Sequence, residues 1–330
     1  MTRVLTFGEI MLRLSPPGQE RLFQTPALRT YFGGSEANVA VTLAHFGLHS
    51  EFVTRLPANA IGDAAAGALR AEGVDTGRCS RGGHRLGIFF VEPGADLRPL
   101  HVVYDRANSA FSQISAADVD WPSALRGTGW FHVSGITPAL GDGPAECVRT
   151  AITAARSAGV PVSMDLNFRP ALWAGRDPKP VMIPLAKSCD LLIGNPGALQ
   201  AMLGIDGTGT VDASRAAGER VHGEFGCRRV ALTHREVRSA SEHGWRAALF
   251  EADGAQLHSS RQYDLRVVDR VGGGDAFAGG LIYALLAGRP GDAALQFATA
   301  AGALKLSVPG DFNRVKVEEV DRLLATVDPR

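Results

Sequence analysis

The sequence predicts an α/β protein, a mostly parallel sheet covered by helices with a small β-sheet inserted at one edge. Two observations carry that prediction. Strand-like and helix-like segments alternate through most of the 330 residues, and several of the helix-like ones end in glycine, the usual stop signal. At one place the alternation breaks, and two strand-like segments follow each other with only a short polar connection between them.

Along the chain, "VLTFGEI" (4–10) reads as the first strand of the main sheet and "EANVAVTLAHFG" (36–47) as a helix closed by glycine. "EFVTRL" (51–56), "WFHVSG" (130–135), "VPVSMDLN" (160–167), "DLLIGN" (190–195) and "RVALTH" (229–234) are further strands of short apolar character. "PAECVRTAITAARSAG" (144–159) and "VDASRAAGERVHGEFG" (211–226) are helices between them. The break falls at "GIFFVEPG" (87–94) and "HVVYDRA" (101–107), which read as a hairpin. With "MLRLSPP" (11–17) and "RTYFGG" (29–34) it forms a small separate sheet, and insertions of this kind act as lids over active sites. The lid is expected to comprise about 11–34 and 86–110, inserted in a single domain over 1–330.

Composition narrows the partners. Lysine plus arginine (34) balance aspartate plus glutamate (34), so no global field favours nucleic acid or an anionic membrane. An anionic ligand would have to be recognised by a few local cations. Cys79, Cys147, Cys189 and Cys227 are far apart without a CxxC pair, which suits reduced structural thiols rather than zinc or disulfides. No secretory h-region and no membrane-length apolar run is present, and a cytoplasmic protein is expected.

The richest stretch is "VVDRVGGGDAFAGGLIYALLAG" (267–288). Apolar residues recur at Phe277, Leu281 and Leu285, with Ala278, Ile282 and Leu286 alongside, the pattern of a helix buried on most of its surface. Asp275 falls in its first turn and Gly272, Gly273 and Gly274 at or before its N-terminus. Unpaired N–H groups and the positive dipole end make such a place an anion site, and glycine lets the backbone approach a phosphate. A carboxylate there would repel phosphate. It is better suited to accept a proton from a hydroxyl while the amides stabilise the group being transferred. The bland alternative is a helix cap behind a tight turn. "GGGDAFAGG" is not GxGxxG, since Phe277 stands at the third glycine position, and there is no GxxxxGK[ST] loop.

This stretch resembles the C-terminal signature of the ribokinase-like (PfkB) family of sugar kinases, in which the aspartate after a GxGD-type loop is the catalytic base. "GGSEANVAVTLAHFG" (33–47) resembles the family's substrate-side motif through Gly33, Gly34 and Asn38, and "IGDAAAGALRAEGV" (61–74) the segment that follows it. The resemblance implies a three-layer sandwich with a β lid, ATP as phosphoryl donor and Mg2+ with it, Asp275 as base and the glycines as anion hole. "VVYDRANSAFS" (102–112), "SGITPAL" (134–140), "DLNFRPALW" (165–173) and "VVDRVGGGDAF" (267–277) are similar to the 2-keto-3-deoxygluconate kinases within it. Arg270 stands where most members carry threonine.

Tyr104 and Arg106 are two apart on a strand and so share a face, and the resemblance implies that this face points into the sugar site. Arg169 lies just beyond a strand edge, where ligands of such sheets bind. The resemblance implies that Arg106 and Arg169 hold the acid end of the substrate, Gly34 and Asn38 the sugar hydroxyls, and Asp311 either the distal hydroxyls or a loop turn. It places Asn195 and Thr233, and less directly Arg235 and Gly244, at the nucleotide. A planar, permanently charged donor is what a carboxylate-bearing sugar wants. The alternatives are a fructokinase or other neutral-sugar kinase and a non-catalytic sugar or nucleotide sensor. Three departures stand out. "NPGA" (195–198) puts Ala198 where the family usually has a glutamate near the metal, Phe89 stands where the lid often has tyrosine, and "THREVRSASEHGW" (233–245) is longer than the usual glycine turn. A homodimer formed through the lid is expected, since an open sheet edge invites pairing.

Overall fold

The computed structural model describes residues 2–209 and 211–326. Its spine is a ten-stranded sheet. The order in space is Gln256–Ser259, Glu242–Glu251, Arg229–Val237, Leu191–Gly194, Val162–Asp165, Trp130–Ser134, Arg3–Phe7, His49–Leu56 and Cys79–Arg81, with Tyr263–Arg266 paired to the far half of Glu242–Glu251. From Arg229–Val237 to Cys79–Arg81 every pairing is parallel, as the alternation of strands and helices requires.

The central strands are buried along their whole length because both faces are covered. Their side chains alternate between two cores. Leu192, Val230 and Leu232 join Val148, Ile152, Leu199 and Met202 on one side. Leu191, Ile193 and Ala231 join Val39, Leu43, Phe277, Leu281 and Phe297 on the other. The second core packs the helices Ser35–His45, Gly273–Leu286 and Gly291–Lys305 together, which brings the starts of the first two beside each other. Among the described residues no helix is long and apolar enough to cross a membrane.

The edge beyond Arg229–Val237 differs from the expectation. Residues 233–245, expected only to exceed the usual glycine turn, are mostly strand. Thr233–Val237 prolongs its strand, a short bend follows, and Glu242–Glu251 returns antiparallel with Arg235 opposite Trp245 and Glu236 opposite Gly244. Both faces of the pair are covered along its middle, with Val230, Leu232 and Phe250 in one core and Ala231, Ala247 and Leu249 in the other, while residues 235–237 are exposed.

The inserted sheet has the order Arg29–Gly33, Met11–Ser15, Ile88–Glu92, His101–Asp105, and its strands fall within the two expected segments. Its own apolar core is small, with Met11, Phe89 and Val91 buried against Leu100 and Val102. Ion pairs fasten it further. Arg13, buried on this sheet, bonds Asp269 at 2.8 Å and Asp311 at 2.9 Å, both on loops of the main body.

Candidate active site

The glycine turn is built as the sequence suggests. Gly272 caps the helix Gly273–Leu286 with φ 85°, a conformation that disfavours a side chain. A Cβ there would also come within 2.3 Å of the Asp311 carbonyl oxygen. At Gly274 a Cβ would meet nothing within 4 Å, because that residue faces open cavity. Gly273 is different. It is buried, and its missing side chain makes room for Leu306 rather than for a ligand. No side chain caps this helix start, so its first amides remain available to an anion.

Asp275, in the first turn, is only 9% exposed yet lines the cavity. Ser35 Oγ donates to its Oδ1 at 2.9 Å and Asn38 Nδ2 to its Oδ2 at 2.7 Å. Each carboxylate oxygen is thus fixed by one donor and keeps lone pairs for a substrate proton. Burial pushes its pKa up, while these two hydrogen bonds and the charges of Arg169 and Lys305 pull it back.

The cavity is about 1050 Å³ and runs from the lid, at Phe89 and Tyr104, across the strand ends to Asn195, Thr233 and Gly244. Tyr104 stacks on Phe89 with ring centroids 6.0 Å apart. Asn195 caps the helix Pro196–Leu203 by accepting from the Ala198 N–H at 2.9 Å, and Thr233 Oγ1 donates to the Gly194 carbonyl at 3.1 Å. The Ala198 methyl is buried in the core, so no carboxylate is offered there.

Arg169, Arg235 and Arg270 all line this cavity. Among the described residues none of them has an acidic group within ion-pairing distance. Partial burial and the charges of Arg270 and Arg169 lower the Arg235 pKa to about 10, and burial beside Arg169 lowers that of Arg270. Arg169 also feels Asp275 and Asp165, whose pKa values its charge lowers, while Arg235 and Arg270 crowd one another, and cations gathered in this way suit an anion.

The structure therefore gathers Asp275, Gly272, Gly274, Tyr104, Arg169, Asn195, Thr233, Arg235 and Gly244 around one cavity. Other expected residues lie behind it. Asn38 acts on Asp275. Gly34 starts the helix Ser35–His45, and a Cβ on it would lie 1.9 Å from the Glu9 carbonyl oxygen. Arg106 corrects the picture of a free acid-binding arginine: it lies beyond the end of His101–Asp105, 9% exposed, with its guanidinium committed to buried Glu9 and packed under Tyr104. Asp311 is likewise paired with Arg13 and absent from the cavity wall, and burial pushes its pKa up to about 6.

Asp165, Asn167, Ser35 and Arg270 had no expected role. Asp165 closes its strand at the cavity, accepts from the Asn167 N–H at 3.0 Å, and is pushed up to about 7, by burial first and then by the charge of Asp275. Asn167, at φ 41°, donates from Nδ2 to Ser35 Oγ at 2.8 Å, which links the two acids through one chain of hydrogen bonds. The position of Asp165 at a strand end was the available signal. Arg270 was visible only as a departure.

Comparison with known proteins agrees with this geometry. A solved structure of 2-dehydro-3-deoxygluconokinase from Thermotoga maritima superposes with a TM-score of 0.96 at 46% identity, over 98% of this chain and all of that one. A PfkB family carbohydrate kinase from Listeria grayi superposes at 0.92 with 34% identity, covering 98% of this chain and 100% of that one. The 2-dehydro-3-deoxygalactonokinase of Haloferax volcanii is 32% identical over 97% of this chain and 96% of its own. The pattern of the pfkB family of carbohydrate kinases matches residues 1–316. With its glycine turn, base-like aspartate and lid in the places described, the chain belongs to the pfkB family of carbohydrate kinases.

Proposed function

We propose that this kinase transfers the γ-phosphoryl group of ATP to the primary hydroxyl of a six-carbon keto sugar acid, 2-keto-3-deoxygluconate giving its 6-phosphate. The observation that carries the reading is the pairing of a doubly hydrogen-bonded Asp275 with an uncapped glycine turn, facing guanidiniums that among the described residues have no acidic group within ion-pairing distance. The Thermotoga relative, at 46% identity, is described as acting on this substrate.

Asp275 accepts the proton of the hydroxyl as its oxygen attacks the γ-phosphorus. One P–O bond forms, the bond to the bridging oxygen breaks, and ADP leaves with those electrons. The amides at 272–274 stabilise charge on the moving group. Arg169, beside Asp275 on the cavity wall, holds the sugar carboxylate, and Arg235 with Arg270 holds phosphates. Tyr104 and Phe89 close over the sugar as the lid excludes water.

Mg2+ fits only as an ion carried by the nucleotide. Among the described residues no group of three or more His, Cys, Asp or Glu could hold a metal, and Ala198 supplies no ligand. When bound, magnesium neutralises phosphate oxygens; the arginines are this chain's own contribution to that task.

The decisive experiment is ADP release over a panel of sugar acids and neutral ketoses, with the product identified by phosphorus NMR. Turnover of neutral sugars alone overturns the acid reading. The C4 epimer belongs in the panel as a second reading, because the Haloferax relative is described as a 2-dehydro-3-deoxygalactonokinase. A cytoplasmic homodimer joined through the lid completes the proposal. Its support is the outer strand His101–Asp105, which among the described residues pairs on one side only and exposes Val103. Sedimentation would report a monomer if that is wrong.

A further inference from the structure

Lys305 ends the helix Gly291–Lys305 and is 0% exposed. Its Nζ donates to the Val308 carbonyl at 3.0 Å. The side chain runs directly beneath the glycine turn, for a Cβ on Gly272 would lie 3.1 Å from its Cε. Three carboxylates, Asp269, Asp311 and Asp275, and one guanidinium, Arg13, act on it from the surrounding elements. Asp269 is the hub of this layer. It accepts from Arg13 at 2.8 Å, from the Gly310 N–H at 3.0 Å and from the Val271 N–H at 3.1 Å, one residue before the turn. Asp311 accepts from Arg13 at 2.9 Å, and its carbonyl is the atom that forbids a side chain at Gly272.

Burying an ammonium among apolar helices is costly, and a buried ion pair is weak support for stability. The reason for this charge is better sought in what it faces. With Lys305, two cations face the three carboxylates Asp269, Asp311 and Asp275 around the turn. Without it, Arg13 alone faces them, negative charge grows within reach of the amides that must receive a phosphoryl group, and the Val308 carbonyl loses its donor.

We propose that Lys305 is a positioning residue, a cation tethered inside the fold that holds the 269–272 turn and limits the negative charge beneath its amides. It touches neither substrate. The inference rests on the reading of the glycine turn as a phosphoryl cradle. A cation already held by the fold needs no dissolved substitute, so the native enzyme is expected to turn over at the same rate in sodium and in potassium salts.

The test compares Lys305→Met, which keeps the length and removes the charge, with Lys305→Ala, which opens a space beneath the turn. Both are assayed on the best acceptor in sodium salt, then with ammonium, methylammonium or potassium added. The expected result is a kcat lowered by about tenfold to a hundredfold, with acceptor KM nearly unchanged. Added small cations restore Lys305→Ala saturably but leave the filled Lys305→Met as it was. A folded Lys305→Met of native kcat overturns the proposal, as does a Lys305→Ala that no cation restores. Should neither variant fold, the native enzyme decides: a requirement for dissolved potassium means that Lys305 does not fill the role, and indifference to the salt supports it. A native protein that transfers no phosphoryl group to any acceptor refutes the function instead, so the two failures are distinct.

Discussion

Asn38 Nδ2 lies 2.7 Å from Asp275 Oδ2, across 237 residues of sequence, and joins the first turns of the helices Ser35–His45 and Gly273–Leu286. The carboxylate is thereby aimed by a neighbouring helix rather than by its own. Asp275→Asn is expected to lower kcat by about 10²–10⁴-fold while the protein stays folded. Asn38→Ala removes a hydrogen bond that lowers the Asp275 pKa. Since the base works ionised, the acid limb of kcat against pH should move to higher pH. An unmoved limb would show that Asp275 is not the titrating base.

Arg106 and Arg169 separate stability from specificity. Arg106→Leu leaves Glu9 buried without its cation, which costs about 3–5 kcal/mol, and should lower Tm with losses that do not depend on the acceptor's charge. Arg169→Leu should leave Tm close to native and weaken transition-state binding of the sugar acid by about 2–4 kcal/mol, sparing any neutral sugar. Calorimetry and paired kcat/KM measurements read the two effects.

Gly272 and Gly274 predict opposite failures. Gly272→Ala puts a methyl group at positive φ and against the Asp311 carbonyl, so both Tm and kcat should fall. Gly274→Ala meets no atom and should fold normally, but its methyl projects where the phosphoryl group would sit. A raised KM for ATP at unchanged Tm is the expected signature.

Asp165 makes stability pH-dependent. Its pKa of about 7 lies above the ordinary carboxylate value, so the folded state keeps a proton that the unfolded state releases. Below about pH 4 both states are protonated and nothing is lost; as pH rises toward about 7 stability falls, by on the order of 4 kcal/mol in full. Asp165→Asn keeps the oxygen that accepts from Asn167. It should stabilise the protein at about pH 8 and do little at about pH 4, as read from denaturant midpoints.

Local rules carried much of this architecture. The alternation and the glycine stops revealed the parallel sheet, and the unbroken strand pair at 87–107 revealed the lid. The buried stripe from Phe277 to Leu285 placed Asp275 at a helix start. What stayed hidden is non-local. Arg106 reads as a free cation until Glu9, 97 positions away, is folded against it. Nothing local in the sequence marks Arg13; its role comes from Asp269 and Asp311, which meet it only in the fold. The return strand Glu242–Glu251 stayed hidden because Arg229–Val237 ends in exposed charged residues, which resemble the start of a turn when only polarity is considered.

The methyl group at position 198 has a consequence for ion choice. It is turned into the core at the first turn of Pro196–Leu203, so this helix start presents no carboxylate to a divalent ion. An ion arriving on the triphosphate then exchanges ligands mainly with water, and its identity is set by how nucleotides prefer metals rather than by a fitted protein cage. Manganese and cobalt should therefore substitute for magnesium with little penalty.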